Sequence, residues 1–152
     1  MSDINWNDGR LISLVKGDVA TCQGYLKSEV LYGIFFYNAS GNEQDTTITV
    51  QLSDTPKPIE CVVPGTIHKK GLTAICFVDG TRTSSLSVHV VDGEEHAQIE
   101  AIICSVKIPR SMRQDLSTNK QPINRNSYNF DTLAKYFQSH SSKWYALACT
   151  AI

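Results

Sequence analysis

Two of the four histidines, His89 and His96, flank an Asp-Gly pair in the stretch SSLSVHVVDGEEHAQIE. Asp-Gly between two strand-like runs is typical of a β-hairpin with a two-residue type I′ loop. Such a hairpin would pair His89 with His96 and Ser87 with Gln98, and would put Leu86 and Val88 on the opposite face. The spacing therefore predicts a polar hairpin face made of Ser87, His89, His96 and Gln98.

Two opposed imidazoles could share a divalent metal ion, because directly paired side chains have Cβ atoms about 4.5–5.5 Å apart. A zinc site needs three or four protein ligands, and serine and glutamine are not usual ones. The nearest carboxylate on that face, Glu100, would lie about 13 Å from His96 at the rise of a β-strand. We therefore predict no metal site and no cofactor.

Catalytic motifs are absent from the sequence. It contains no G-x-S-x-G nucleophile elbow, no H-E-x-x-H pair, no phosphate-binding P-loop and no G-x-G-x-x-G fingerprint. The five cysteines are widely spaced and include no C-x-x-C pair, which favours buried thiols over zinc or redox chemistry. The sequence thus predicts a protein that is not an enzyme, and a small hydrolase or metal-dependent enzyme around His89 and His96 is the competing hypothesis.

Aromatic residues beside amides and carboxylates suggest ligand binding. Trp6 stands between Asn5 and Asn7, with Asp8 next, and the pair Trp144 and Tyr145 forms a second aromatic position. Sugars stack on such aromatic rings and form hydrogen bonds with neighbouring polar groups, whereas the structural alternative is that each ring anchors a chain end to the core. The candidate ligand-binding residues are Trp6, Asn7, Asp8, Trp144 and Tyr145.

Charge is distributed unevenly along a chain whose formal net charge is −1. Residues 107–152 carry seven bases against two acids, a local net charge of +5. Residues 107–128 form a long stretch without apolar periodicity, which we interpret as an extended basic loop or arm. Its basic residues are Lys107, Arg110, Arg113, Lys120 and Arg125. The sequence argues against a nucleic-acid partner, because the arm has no aromatic residue for base stacking before Tyr128.

Short strand-like runs dominate the rest of the chain. A run such as DTTITVQLS alternates apolar and polar residues, with Ile48 and Val50 on one face and threonines on the other, as in a half-buried antiparallel strand. One helix is predicted over residues 129–140, where apolar residues recur with helical spacing. About eight or nine strands joined by Gly- and Pro-bearing turns predict a single all-β domain over residues 1–152. The expected fold is a mainly antiparallel β-sandwich of Greek-key or jelly-roll kind.

Three predicted strands, over residues 30–37, 99–108 and 144–152, are apolar on both faces. One short helix cannot cover all of them, and large exposed apolar patches are uncommon on proteins in solution. The sequence therefore predicts a homo-oligomer.

These observations together predict a non-enzymatic binding or assembly module, an oligomeric β-sandwich that presents loops to a glycan or protein partner in the manner of a lectin. A structural subunit of a virion, a tail or a similar particle is a close alternative. Hydrophobic residues make up 41% of the chain and charged residues 19%, which excludes disorder, and no apolar run is long enough to span a membrane. We see no secretory signal, so the expected location is cytoplasmic, or released or particle-associated without a classical signal.

Overall fold

Nine strands and one helix form the structure, a computed structural model that describes residues 3–5, 11–23, 30–38, 43–53, 58–65, 73–79, 85–107 and 130–140. The strands are β1 (Asp3–Asn5), β2 (Leu11–Leu14), β3 (Val19–Gln23), β4 (Val30–Asn38), β5 (Thr46–Leu52), β6 (Ile59–Val63), β7 (Thr73–Asp79), β8 (Ser85–Asp92) and β9 (Ile99–Lys107). The helix α1 (Phe130–His140) follows them. No helix among the described residues is both long and apolar enough to cross a bilayer.

The strands form two sheets with jelly-roll connectivity. Sheet A has the order β1-β3-β8-β5-β6, and sheet B has the order β2-β9-β4-β7. From β2 onward every pairing is antiparallel, and the chain moves between the sheets so that two Greek keys interlock, which is the jelly-roll pattern. β1 adds to the edge of sheet A as a parallel partner of β3. The predicted β-sandwich with one short helix is confirmed.

The core between the sheets follows from residue alternation along each strand. In β5 the buried positions Thr46, Ile48, Val50 and Leu52 alternate with half-exposed ones, as the sequence predicts. β8 does the same with Leu86, Val88 and Val90, each no more than 1% exposed. The alternate side chains of these strands therefore point away from the core, on the outer face of sheet A.

The predicted hairpin between residues 85 and 100 is wrong, because β8 and β9 belong to different sheets. β8 lies between β3 and β5, and His89 pairs with Val19 and Thr49 instead of His96. At Gly93, where φ is +148°, the chain leaves sheet A. A turn closed by the hydrogen bond from the Ala97 amide to the Glu94 carbonyl (3.1 Å) then leads into sheet B. The local sequence suits this crossover as well as it suits a hairpin, since both need a residue that tolerates positive φ.

Helix α1 packs on the outer face of sheet B. That face is apolar because β4, β7 and β9 each carry hydrophobic residues on both sides. Leu133 is 1% exposed and belongs to a second hydrophobic cluster with Phe35, Phe77 and Cys104, against which Ala134 and Tyr136 also pack. The predicted helix is confirmed. Four outer side chains of β4 and β9 are buried within a single chain and a fifth, Ile102, is half-buried; the four are Leu31, Phe35, Cys104 and Val106. The third segment that the sequence marks as apolar on both faces, residues 144–152, lies outside the described residues.

Candidate functional site

The outer face of sheet A presents mostly polar side chains to solvent in the part of the chain that the structure describes. We call it the polar face. It consists of the outward-pointing side chains of β3, β8, β5 and β6, which are half-exposed or exposed while their neighbours in sequence fill the core. Its residues are Val19, Thr21, Thr47, Thr49, Gln51, Glu60, Val62, Ser85, Ser87 and His89. The two sheets thus differ, since helix α1 packs on the outer face of sheet B.

The strand pairing arranges these residues in rows that cross the sheet. One row, the His89 row, runs from Val19 through His89 and Thr49 to Glu60. A second row, the Ser87 row, runs from Thr21 through Ser87 to Gln51. Neighbouring strands lie about 4.8 Å apart, and the two rows are separated by two residues, roughly 6.8 Å along each strand.

Hydroxyl, amide and imidazole groups dominate the polar face. On β3, β8 and β5 the two rows contain no aspartate, glutamate, lysine or arginine. The one charged member of the rows, Glu60, lies on the edge strand β6. Gln51 donates from Nε2 to the carbonyl of Leu52 (3.3 Å), so this amide is held against its own strand. The chemistry that such a surface offers is neutral hydrogen bonding.

One end of the polar face is apolar. Val62 is 47% exposed and pairs with Thr47, and Val91 is 37% exposed beside the same threonine. Val91 is the extra residue of a β-bulge, because Thr47 pairs with Asp92 whereas Ile48 pairs with Val90. A bulge changes the direction of side chains locally, and here it accompanies a second exposed valine on the opposite side of Thr47 from the first.

The residues of the predicted hairpin face are divided by the structure. Ser87 and His89 lie on the polar face, at the centre of the sheet. His96 and Gln98 are exposed in the connection between the sheets, and neither is on a strand. The hypothesis of an enzyme around His89 and His96 therefore loses the pairing on which it was built. Among the described residues there is no group of three histidines, cysteines or acids that could hold a metal ion.

Several predicted site residues lie outside the described residues. They are Trp6, Asn7, Asp8, Trp144, Tyr145, Arg110, Arg113, Lys120 and Arg125. Lys107 is exposed at the end of β9, and its carbonyl accepts a hydrogen bond from the Tyr136 hydroxyl (2.7 Å). Trp6 follows Asn5 directly, and Asn5 pairs with Thr21 of the Ser87 row.

Sequence reasoning missed Thr21, Thr49 and Gln51 as members of a common surface. The alternation in β5 marks Thr49 and Gln51 as outward-facing, so part of the signal was present. Their assembly with Ser87 and His89 depends on β8 lying between β3 and β5, which local patterns do not specify.

One solved structure is similar to this chain. No family model matches this chain, and no curated protein matches it. Among solved structures, the chain is similar to the pre-peptidase C-terminal domain of a collagenase from Bacillus anthracis. The two are 15% identical, with a TM-score of 0.37, over 67% of this chain and 94% of that domain. The jelly-roll assignment follows from the strand order itself.

Proposed function

We propose that this protein is a non-enzymatic binding module whose polar face binds a glycan. The observation that carries the proposal is the contrast between the two outer faces. Helix α1 packs on β4, β7 and β9 of sheet B, whereas sheet A presents rows of hydroxyl and amide groups with an apolar end formed by Val62 and Val91.

A glycan fits this chemistry better than a charged partner does. Sugar hydroxyls both donate and accept hydrogen bonds, and they match serine, threonine and imidazole groups that can do the same. The C–H patches of a sugar ring suit small apolar surfaces such as the two exposed valines. A nucleic acid or an acidic peptide would need a basic surface, and neither row contains lysine or arginine.

The aromatic candidates supply stacking in this proposal. Trp6, with Asn7 and Asp8, directly follows β1 in the sequence, and Asn5 of β1 pairs with Thr21. The proposed role of the Trp6 indole is to stack on a sugar ring that the Ser87 row holds by hydrogen bonds. Trp144 and Tyr145 are a second stacking position in this proposal.

The proposed module acts as a homo-oligomer. A shallow sheet face makes few contacts with each ligand, and several such faces on one particle bind a multivalent glycan far more strongly than one face alone. The basic residues of 107–128, Lys107, Arg110, Arg113, Lys120 and Arg125, are the proposed contact between subunits. This charge would complement the acidic excess of residues 1–60, which carry eight acids against four bases.

A glycan array tests the proposal. Wild type should bind a defined set of glycans, and the double variant Thr49→Val with Ser87→Ala should lose most of that signal without loss of stability. Ser13→Ala is the matched control, because Ser13 is exposed on β2 of the other sheet. Trp6→Ala tests the stacking position separately. An array on which wild type gives no signal would contradict the proposed function, and capture of a protein ligand on the same face would replace the glycan.

The jelly-roll strand order favours a second candidate, a structural subunit of a virion, a tail or a similar particle. Viral capsid proteins and lectins both use this connectivity, so the fold alone supports both roles. Electron microscopy of concentrated protein separates them. Regular rings, tubes or shells would favour the structural subunit, whereas small uniform oligomers that bind glycans would favour the binding module.

A further inference from the structure

We infer that the glycan bound by the polar face is an extended, uncharged, linear oligosaccharide that lies across the strands, along the His89 and Ser87 rows. This inference rests on the proposed function and adds the shape and direction of the ligand. Two alternatives exist in principle: a chain that runs along the central strand β8, and a single terminal sugar.

Spacing favours the direction across the strands. Polar groups repeat about every 4.8 Å across the strands but only about every 6.8 Å along one strand, where every second residue points inward. In an extended sugar chain with equatorial linkages, each ring lengthens the chain by a distance close to the spacing across the strands. Each successive ring would therefore meet the side chain of the next strand.

Chemistry along the two directions points the same way. Along β8 the polar face changes from Ser85 and Ser87, through His89, to the exposed Val91. A chain on this strand would therefore find no side-chain hydrogen-bond partner at Val91, although that residue suits the C–H patch of a single ring. Across the sheet the Ser87 row stays polar from Thr21 to Gln51, and the His89 row is polar from His89 to Glu60, with Val19 as its one apolar member. β1 widens the sheet beside this row, where Asn5 pairs with Thr21.

The width of the sheet sets the length of the ligand. From β3 to β6 there are three gaps between strands, roughly 14 Å in all, and β1 adds a fourth gap. This width corresponds to three or four sugar rings. Binding should therefore strengthen with chain length up to about four rings and then change little.

The test uses linear β-1,4-linked oligosaccharides of glucose, N-acetylglucosamine, mannose and xylose, each with two, four and six rings, measured by calorimetry. Malto-oligosaccharides serve as the control, because their α-1,4 linkage makes the chain coil. We expect at least one linear series to bind about tenfold more tightly at four rings than at two, and equally at four and six, as one or two more hydrogen bonds would provide. The malto series should show no such plateau.

Three variants of similar shape decide the direction. Thr21→Val and Thr49→Val remove hydroxyls on the two strands that flank β8, and Ser85→Ala removes one farther along β8 itself. For a ligand across the strands, each threonine variant should weaken binding by about three- to tenfold while Ser85→Ala has no effect. The reverse pattern, or equal affinity for two and six rings, would overturn this inference and leave the binding function intact. The inference would also be overturned, with the binding function intact, if wild type bound glycans on the array but bound none of the four linear series.

Discussion

Gly65 shows at the scale of one residue how two distant segments are held together. Its amide donates to Oδ1 of Asp45 (2.8 Å), and the preceding carbonyl of Pro64 accepts from Nδ2 of Asn38 (3.4 Å). A Cβ at Gly65 would come within 2.5 Å of the Gln44 carbonyl group and even closer to the carbonyl oxygen of Glu43. The loop before β5 therefore packs directly on the backbone that follows β6.

Replacing Gly65 by alanine should destabilise the protein by about 3 kcal/mol, because the new methyl group meets backbone atoms that cannot rotate away. Urea unfolding monitored by circular dichroism measures this loss. Gly17→Ala is an informative control, since Gly17 has φ of +92° but no atom within 4 Å of an added Cβ. It should cost about 1–2 kcal/mol from backbone strain alone. Equal costs for the two variants would contradict the role of close contact at Gly65.

Thr46 is 1% exposed, and its buried Oγ1 has no hydrogen-bond partner among the residues that the structure describes. It lies beside Gly93, where an added Cβ would be 3.1 Å from that oxygen. Leaving a buried hydroxyl unsatisfied costs about 1–3 kcal/mol.

Thr46→Val should therefore stabilise the protein by about 1 kcal/mol, because it replaces the unpaired hydroxyl by a methyl group of similar size. The midpoint of urea unfolding should rise at an unchanged slope. Thr47→Val, one residue further on the half-exposed side of β5, should change stability by less than about 0.5 kcal/mol. A midpoint for Thr46→Val at or below that of wild type would show that the hydroxyl is satisfied in solution.

At the scale of elements, helix α1 converts an apolar sheet surface into an interior. Leu133 contributes the fully buried contact, and the Tyr136 hydroxyl donates to the carbonyl of Lys107 at the end of β9. Asp131 places a carboxylate in the first turn of the helix, where it interacts favourably with the positive end of the helix dipole. Tertiary packing rather than intrinsic propensity keeps a helix of this length folded.

Leu133→Ala should cost about 2–3 kcal/mol, as buried leucine truncations typically do, and should uncover part of the sheet B surface. Urea unfolding gives the energy, and increased binding of a hydrophobic dye at low urea reports the uncovered surface. Lys135→Ala, an exposed position on the same helix, is the control and should change stability by less than about 0.5 kcal/mol. If the two variants behave alike, the helix does not cover sheet B in solution.

At the scale of the whole molecule, the two outer faces differ in surface chemistry. The sequence predicts that a second subunit covers the apolar outer side of β4 and β9. In the structure, the chain's own helix packs on that side. Self-association is therefore proposed from the needs of multivalent binding and from the basic residues of 107–128.

Light scattering after size-exclusion chromatography should give a mass that is a multiple of 16.8 kDa. Because the proposed contact between subunits is electrostatic, the mass should fall toward that of the monomer at about 1 M salt, where the screening length is only about 3 Å. Charge reversal at Arg110 and Arg113 should have the same effect at low salt. A monomer at low salt and high protein concentration would remove the oligomer from the proposal.

The sequence alone determined which residues face inward within most elements, and with that the fold class. Alternation separated Ile48 and Val50 from Thr47 and Thr49, and helical spacing predicted the helix that the structure has at Phe130–His140. Both patterns can be seen in a few neighbouring residues, because backbone geometry fixes how often side chains return to the same face of a strand or a helix.

Only the tertiary structure decided which strands became neighbours. The Asp-Gly turn after β8 is compatible with a hairpin and with a crossover, and the choice depends on β3 and β5, which lie more than thirty residues earlier in the chain. That choice separated His89 from His96 and brought His89 and Ser87 beside Thr49 and Thr21. Strand pairing is decided by the total burial of two complete sheets, so no local pattern could have predicted the polar face.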